Sequence, residues 1–508
     1  MKKLLALLLA LAMLLSFAAC SQQQETPGPN ISDEPKPFVD GDDGKPYEVN
    51  IIYRISPQDA KQTKAVVDHI NNNILPDLLP NTTISITFIP QSEYMQTMKL
   101  KFASEEKMDL VLTMVSLGYA DFASQEAYEA WDYYLPLLEG TISNFPETWL
   151  DATRVAGQIY GIPNYQITAR ANTVSLHTSM IQKYNIDVSK IKTYEDLAEY
   201  YYKPLLAGGE FSNGSLVYPQ VGHIWTNNQG EIYDTWGLEQ ITDLLVVDKD
   251  DPTKVLNLFE TDVAKSSYEM LLDWANKGYM NADVYSAGTS STAMYKQGLI
   301  GSRQDGWQVD HEKNIKNSYG QDVTVVQLSE PLVTTSSVRS TMTSLAWCSK
   351  NPYRAAKVYE LINTNEELFN AICYGVEGVH YTKNSDGTVT PITDSGYNIS
   401  GYAYQIGNTK NQWPVAGRAE DYVEQWDTLN KNAKSGLLLG FSFDTTNVQT
   451  EMASVQAIYG AYREGFIYGK YSDVEATLKE MNDKMYAAGL QRIIDVCQKQ
   501  LDEWYASK

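Results

Sequence analysis

The side chains of this 508-residue chain best suited to catalysis or metal binding are five histidines, four cysteines and 63 acidic residues. His69, His177, His223, His311 and His380 form no H-E-x-x-H, no C-x-x-C accompanies them, and none pair at close metal-ligand spacing, so no protein-made metal site is expected. Asp40-Gly41-Asp42-Asp43-Gly44 and Asp248-Lys249-Asp250-Asp251 lack the glycine at loop position six and the glutamate at position twelve that a calcium loop requires; both read as solvated loops. No G-x-S-x-G, G-x-x-x-x-G-K-[ST] or strand-bound G-x-G-x-x-G occurs, which removes the local signatures of serine hydrolases, P-loop enzymes and dinucleotide binders. A glycosidase needs only two carboxylates held ~5–10 Å apart in space, and so many acidic residues leave that chemistry open.

Composition narrows the partners. Forty Lys+Arg against 63 Asp+Glu give a net charge of −23, which repels phosphate backbones and anionic membrane faces, so no nucleic-acid partner is expected. Hydrophobic residues at 43% and charged ones at 20% are ordinary for a folded body. The aromatic set is weighted to rings with a polar tip, with 35 Tyr and 10 Trp against 12 Phe, and such rings serve wet surfaces and half-polar ligands.

The N-terminus reads as an address. Lys2 and Lys3 precede an uncharged, mostly apolar run from Leu4 to Ala19, too short at ~1.5 Å per residue to span a ~30 Å hydrocarbon core, so residues 1–19 are an export signal. Residues 20–45, broken by Pro27, Pro29, Pro35, Pro37, Gly41 and Gly44, read as a flexible tether. Beyond Cys20, the cysteines Cys348, Cys373 and Cys497 are odd in number and widely spaced, the pattern of buried free thiols; Cys497 shares a helical stripe with Leu490, Ile493, Ile494, Leu501 and Trp504.

The elements that must position any site follow from periodicity. Tyr47–Arg54 reads as a strand, Gln62–Leu75 as a helix, Ile84, Ile86 and Phe88 as an alternating strand, Glu93–Ser104 as a helix and Asp109–Met114 as a buried strand. That order predicts an α/β sheet of parallel strands, with ligand chemistry at strand carboxyl ends such as Thr113 and the loop holding Ser116. Further strands are predicted at Thr173–His177, Gly298–Gly301, Val323–Gln327 and Leu345–Cys348, and helices at Tyr194–Leu206 and Ser266–Lys277. Ser472 with Glu475 has the form of a capping box before Leu478, Met481 and Met485; Gly489 interrupts that face and a last helix starts near Leu490. No internal repeat appears.

Several segments together resemble a family. Ala18-Ala19-Cys20 resembles the lipobox of bacterial lipoproteins, with Phe17 where Leu or Val is usual, which implies lipidation at Cys20. Val155-Ala156-Gly157-Gln158-Ile159-Tyr160-Gly161-Ile162-Pro163 is similar to the G-K-I-Y-G-I-P segment of extracellular sugar-binding proteins of ATP-driven importers. Phe102 to Asp109 resembles their A-S-G-E-x-x-D approach to a strand, Ile191 to Leu197 a helix start, and Ser349 to Ala356 their S-K-N-P-E-R-A. Gly375-Val376-Glu377-Gly378-Val379-His380-Tyr381 is similar to the G-I-E-G-x-H-Y stretch of a lipoprotein subgroup, and the chain from Leu437 onward resembles that subgroup's tail.

The resemblance implies a two-lobed periplasmic-binding-protein-like α/β fold of type II, each lobe a mixed sheet flanked by helices with a ligand cleft between them. It places 46–163 and 338–378 in lobe 1, and 164–337 and 379–508 in lobe 2, with crossings near Pro163, 338 and 375–381. It implies hinge closure on a carbohydrate, delivery to the permease subunits of an ABC importer, a monomer on the outer membrane face, no cofactor and no catalysis. A peptide or other small solute, or glycoside-active chemistry, are the alternatives. Trp307 and Asp305, in the run Arg303-Gln304-Asp305-Gly306-Trp307, are the first candidates for stacking on and hydrogen-bonding a pyranose, or for a structural role. Tyr165 and Thr113 follow by position. Trp347 suits cleft stacking or core packing. Tyr374, Glu377 and Tyr381 stand at the implied third crossing, where Glu377 would bind hydroxyls or cap backbone. Trp225, Trp236 and Trp413, in Gly/Asn-rich loops, carry no assignment.

Overall fold

The strand Tyr47–Tyr53 buries Val49, Ile51, Ile52 and Tyr53 on both faces, the pattern of a central parallel strand. The computed structural model describes residues 38–217, 237–281, 291–307 and 309–508; the export signal, Cys20, the tether up to residue 37, Trp225 and Trp236 lie outside them. Tyr47–Tyr53 pairs in parallel with Thr82–Phe88 and Leu110–Thr113, and helices Thr63–Asn73 and Tyr94–Ala103 form the connections, in the order the sequence predicts. The sheet also takes in Met342–Ala346, which returns antiparallel to Leu110–Thr113 and pairs with Tyr128–Glu129 and Ile162–Pro163. Cys348 follows this strand instead of ending it.

A second sheet is antiparallel throughout, with Asn172–His177 between Ser302–Gly306 and Val323–Gln327. The strand expected at Gly298–Gly301 begins at Ser302 because Gly298 holds a left-handed φ of 67° in the turn after helix Ser291–Lys296. One face of this sheet packs Val174, Leu176, Val326 and Leu328 into a large core; the other meets a small cluster of Met294, Tyr295, Ile300, Ile315 and Val323. Helices Gln449–Ile467, Val474–Ala487 and Leu490–Ala506 complete the large core against Asp262–Asn276. Leu490, Ile493, Cys497 and Leu501 form the buried stripe of the last helix. The capping box at Ser472 and Glu475 does not form. Asp473, one residue on, accepts from Ala476 N at 2.9 Å, and Glu475 pairs with Lys265.

Two hydrophobic cores result. The first gathers residues within 49–169 and 333–426 together with Val309, the second residues within 174–328 and 438–501. Residues 379–433, expected with the second lobe, lie with the first. Val389, Tyr397, Ile399 and Trp426 bury there, and the Tyr397 hydroxyl donates to Ile372 O at 2.7 Å. The tether likewise ends earlier than 45, because the Asp42 carboxylate is fastened to Arg354 at 2.7 and 2.8 Å. The acidic run around it is therefore in part an ion pair, not wholly a solvated loop. Cys348, Cys373 and Cys497 are buried free thiols, and burial pushes Cys497 up to about 12. No helix among the described residues is long and apolar enough to cross a membrane.

Candidate functional site

The chain passes between the cores at three places, and these lie side by side. Arg170 and Leu332 exchange two backbone hydrogen bonds of 2.8 Å, and Leu332–Val333 pairs in parallel with Lys434–Ser435. The third crossing is therefore at 434–437, not at 375–381. Polar side chains tie the ribbon to its surroundings. Asn430 Oδ1 accepts from Thr168 N and Ala169 N at 2.8 and 2.9 Å, while its Nδ2 donates to Gln166 O. Arg339, 4% exposed, donates from Nε to Ala152 O at 2.6 Å, from Nη2 to Arg154 O at 2.9 Å and from Nη1 to Ser442 Oγ at 2.8 Å. Burial pushes its pKa down, yet an arginine starts so high that it stays charged. Because Ser442 lies between Leu438 and Val448 of the second core and Ala152 belongs to the first, this guanidinium spans the seam.

Beside the ribbon, strand Ser302–Gly306 ends at Trp307. Its N–H donates to Ala171 O at 2.9 Å, and its half-buried ring packs against the first core although its strand belongs to the second sheet. Asp305, two residues before, is buried. Arg303 Nε stands 2.9 Å from its Oδ1, Ser175 Oγ donates to its Oδ2 at 3.1 Å, and His311 Nε2 lies 3.6 Å from the same oxygen. The Arg303 guanidinium also covers the Tyr319 ring at 4.5 Å. A cavity of about 440 Å³ opens next to this group, lined by Trp307, His311, Lys313, Val325 and Gln327. Lys313 Nζ donates to Gly417 O, next to residues that pack on the first core, so the cavity's rim also reaches across the seam.

The remaining expected site residues are not gathered here. Tyr165 is a core residue, its ring among Phe145, Trp149 and Trp426 and its hydroxyl donating to Asp427 Oδ1 at 2.6 Å. Burial and the Asp427 carboxylate push its pKa far up. Thr113 is buried at its strand end and accepts from the Tyr128 hydroxyl at 3.2 Å. Trp347 neither stacks in the seam nor enters the core; it is 40% exposed beside Phe102, Phe122 and Ala127. Tyr374 is buried and donates to Trp413 O at 2.8 Å, while exposed Glu377 and buried Tyr381 line a separate hollow with Glu366, Lys383 and Trp413. Glu377 and Tyr381 also form an isolated backbone bridge.

Two features escaped the sequence reading. His311 stands four residues after Trp307, a spacing that becomes informative only once the strand is known to end at Gly306. The larger cavity at the seam, about 640 Å³, lies between Asp151, Arg154 and Gly157 on one side and Phe441, Phe443, Gln500 and Trp504 on the other. It shares no lining residue with the cavity beside Trp307. Its Trp504, read as core, is half-buried beneath Lys508, whose Nζ sits 3.6 Å from the ring.

Residues 437–506, which include the last three helices, match a domain of unknown function, DUF3502. A carbohydrate ABC transporter substrate-binding protein of Streptococcus pneumoniae serotype 4 (strain ATCC BAA-334 / TIGR4) is 23% identical over 446 residues, 84% of this chain and 85% of the relative. Among solved structures, the N-glycan transport solute binding protein NgtS of Streptococcus pneumoniae superposes with a TM-score of 0.75 at 19% identity, covering 90% of this chain and 98% of that one. The same protein in complex with Man5GlcNAc gives 0.64 at 20% identity over 91% and 98%. A solute-binding protein of Bifidobacterium longum infantis ATCC 15697 described as HMO-binding gives 0.59 at 14% identity over 91% and 99%. The chain therefore has the two-lobed type II fold of extracellular solute-binding proteins.

Proposed function

We propose that this protein is the substrate-binding component of a carbohydrate ABC importer, capturing a sugar or oligosaccharide by hinge closure and releasing it chemically intact to the permease subunits. The observation that carries the reading is Trp307, an aromatic plate rooted in the second sheet whose ring meets the first core at the seam. A pyranose offers apolar C–H faces to such a ring and a rim of hydroxyls to polar neighbours. A ligand touching both lobes binds one hinge state better than the other, and that difference shifts the population. The named relatives, with a carbohydrate transporter component and structures holding Man1GlcNAc and Man5GlcNAc, favour an oligosaccharide over a peptide.

On this reading lobe 1 comprises 41–169 and 333–433, and lobe 2 comprises 172–330 and 438–508. Trp307 stacks on the sugar and Asp305 supports the site from behind. Tyr165, Thr113, Trp347, Tyr374, Glu377 and Tyr381 serve the scaffold of lobe 1. Cys20 carries the lipid that holds the protein at the outer face of the membrane, and Cys20→Ala releases it into the medium.

The test is a thermal-shift screen of oligosaccharides that starts from Man5GlcNAc. A ligand at 100 times its dissociation constant adds about 2.7 kcal/mol to stability. A rise in melting temperature with unchanged sugar recovered afterwards supports the reading. A response to peptides alone moves it to another ligand class, and the steady appearance of new reducing ends makes the protein an enzyme.

A further inference from the structure

Behind the cavity beside Trp307 stands a buried polar cluster with unspent hydrogen-bonding capacity. His311 opens helix His311–Tyr319 and is 5% exposed, and neither of its ring nitrogens has a hydrogen-bond partner among the described residues. The Tyr295 hydroxyl and Arg303 Nη1 are in the same condition. Arg303 and His311 stand against the Asp305 carboxylate by the two contacts given above, and burial together with the Asp305 charge pushes the Tyr295 pKa up. More than about nine in ten buried polar groups are satisfied in folded proteins, so such a concentration marks a place that something else completes. Of these residues His311 is the one that lines the cavity, next to Trp307.

We propose that His311 is a specificity-determining residue of the sugar site, hydrogen-bonding a hydroxyl of the unit that stacks on Trp307, with Asp305 as its positioning residue. The inference rests on the carbohydrate reading above. A carboxylate facing Nε2 favours the tautomer that carries its proton there, which leaves Nδ1 as an acceptor. The complementary ligand group is a donor of neutral charge, and a sugar hydroxyl on a ring held by an indole is that group. The Nε2 to Oδ2 separation of 3.6 Å is too long for a strong hydrogen bond, and on this proposal it shortens when a ligand closes the site. A site with a buried acceptor rejects a ligand lacking the matching hydroxyl, because the acceptor is then left unpaired.

The experiment is isothermal titration of the full chain with the tightest glycan from a panel beginning with Man5GlcNAc. His311→Phe is expected to weaken binding about 30-fold or more, because the hydroxyl loses its acceptor. His311→Asn, which sets an amide oxygen near the place of Nδ1, is expected to stay within about fivefold of the parent. Asp305→Asn falls between them. A folded His311→Phe variant with parental affinity overturns the proposal. In case that variant does not fold, the ¹⁵N signals of His311 in the unaltered protein decide. A neutral ring protonated at Nε2 whose Nδ1 signal moves on saturation upholds the proposal, and an unmoved signal overturns it. Failure of the unaltered protein to bind any glycan is a different result; it removes the carbohydrate reading, and this inference with it.

Discussion

Asp42 and Asp305 are both buried carboxylates held by an arginine, yet their surroundings differ in completeness. Arg354 gives Nε and Nη2 to Asp42, and its Nη1 reaches Asn81 O at 3.0 Å and Thr82 Oγ1 at 2.7 Å. Lys357 Nζ adds a second cation 3.1 Å from Asp42. Around Asp305, by contrast, His311, Tyr295 and Arg303 keep atoms without partners among the described residues. A saturated network fixes one geometry, and an unsaturated one carries a penalty until another molecule completes it. The first cluster is therefore a fastening that pins the start of the body to helix Pro352–Thr364, and the second is a buried, incompletely paired cluster beside the seam.

The largest effect tests the fastening. Asp42→Asn leaves Arg354 buried without its counter-charge and is expected to cost about 3–5 kcal/mol in urea unfolding, with glycan affinity unchanged. A loss of affinity equal to that of the Asp305 variant breaks the contrast. Arg339→Met gives up three hydrogen bonds at the seam and is expected to cost about 2–3 kcal/mol by the same measurement. Asp305→Asn is expected to cost only about 1–2 kcal/mol, since Arg303 keeps the Tyr319 face and its cluster is already incomplete.

Acid gives a milder probe of the same difference. Burial alone raises the Asp42 pKa, but the hydrogen bonds from Arg354, the Gly44 N–H and Lys357 outweigh it and hold the carboxyl well below the ordinary range. A depressed folded pKa contributes stability above the unfolded value and loses it as pH falls. The stability gap between the parent protein and Asp42→Asn is therefore expected to narrow below about pH 4. The smallest change in stability belongs to Trp307→Ala. The unliganded melting point is expected to move little, about 1 kcal/mol or less for a half-exposed ring, while the glycan-induced shift disappears.

What the residues disclose in advance follows the range of the interactions involved. The strands Asn172–His177 and Val323–Gln327 and the stripe through Cys497 are written in local periodicity, and they stand where expected. The antiparallel return of Met342–Ala346 into the first sheet and the packing of 379–433 on the first core depend on contacts far apart in the chain, which no local pattern encodes. The same holds at the site. Trp307, the ring proposed for sugar stacking, is suggested by residue type beside a strand end. Tyr165 looks equally suitable until Asp427, from a helix much later in the chain, is seen to occupy its hydroxyl. His311 is inconspicuous among five histidines until Asp305 and the cavity wall are seen around it.

The lateral pairing of the three crossings limits how the molecule can move. Sliding one half past the other would shear the Arg170–Leu332 bonds and the Leu332–Lys434 register, whereas bending about the ribbon leaves them whole. Rocking about one axis is thus the cheap deformation, and on the proposed reading a membrane complex that distinguishes a loaded from an empty carrier needs to gauge a single angle.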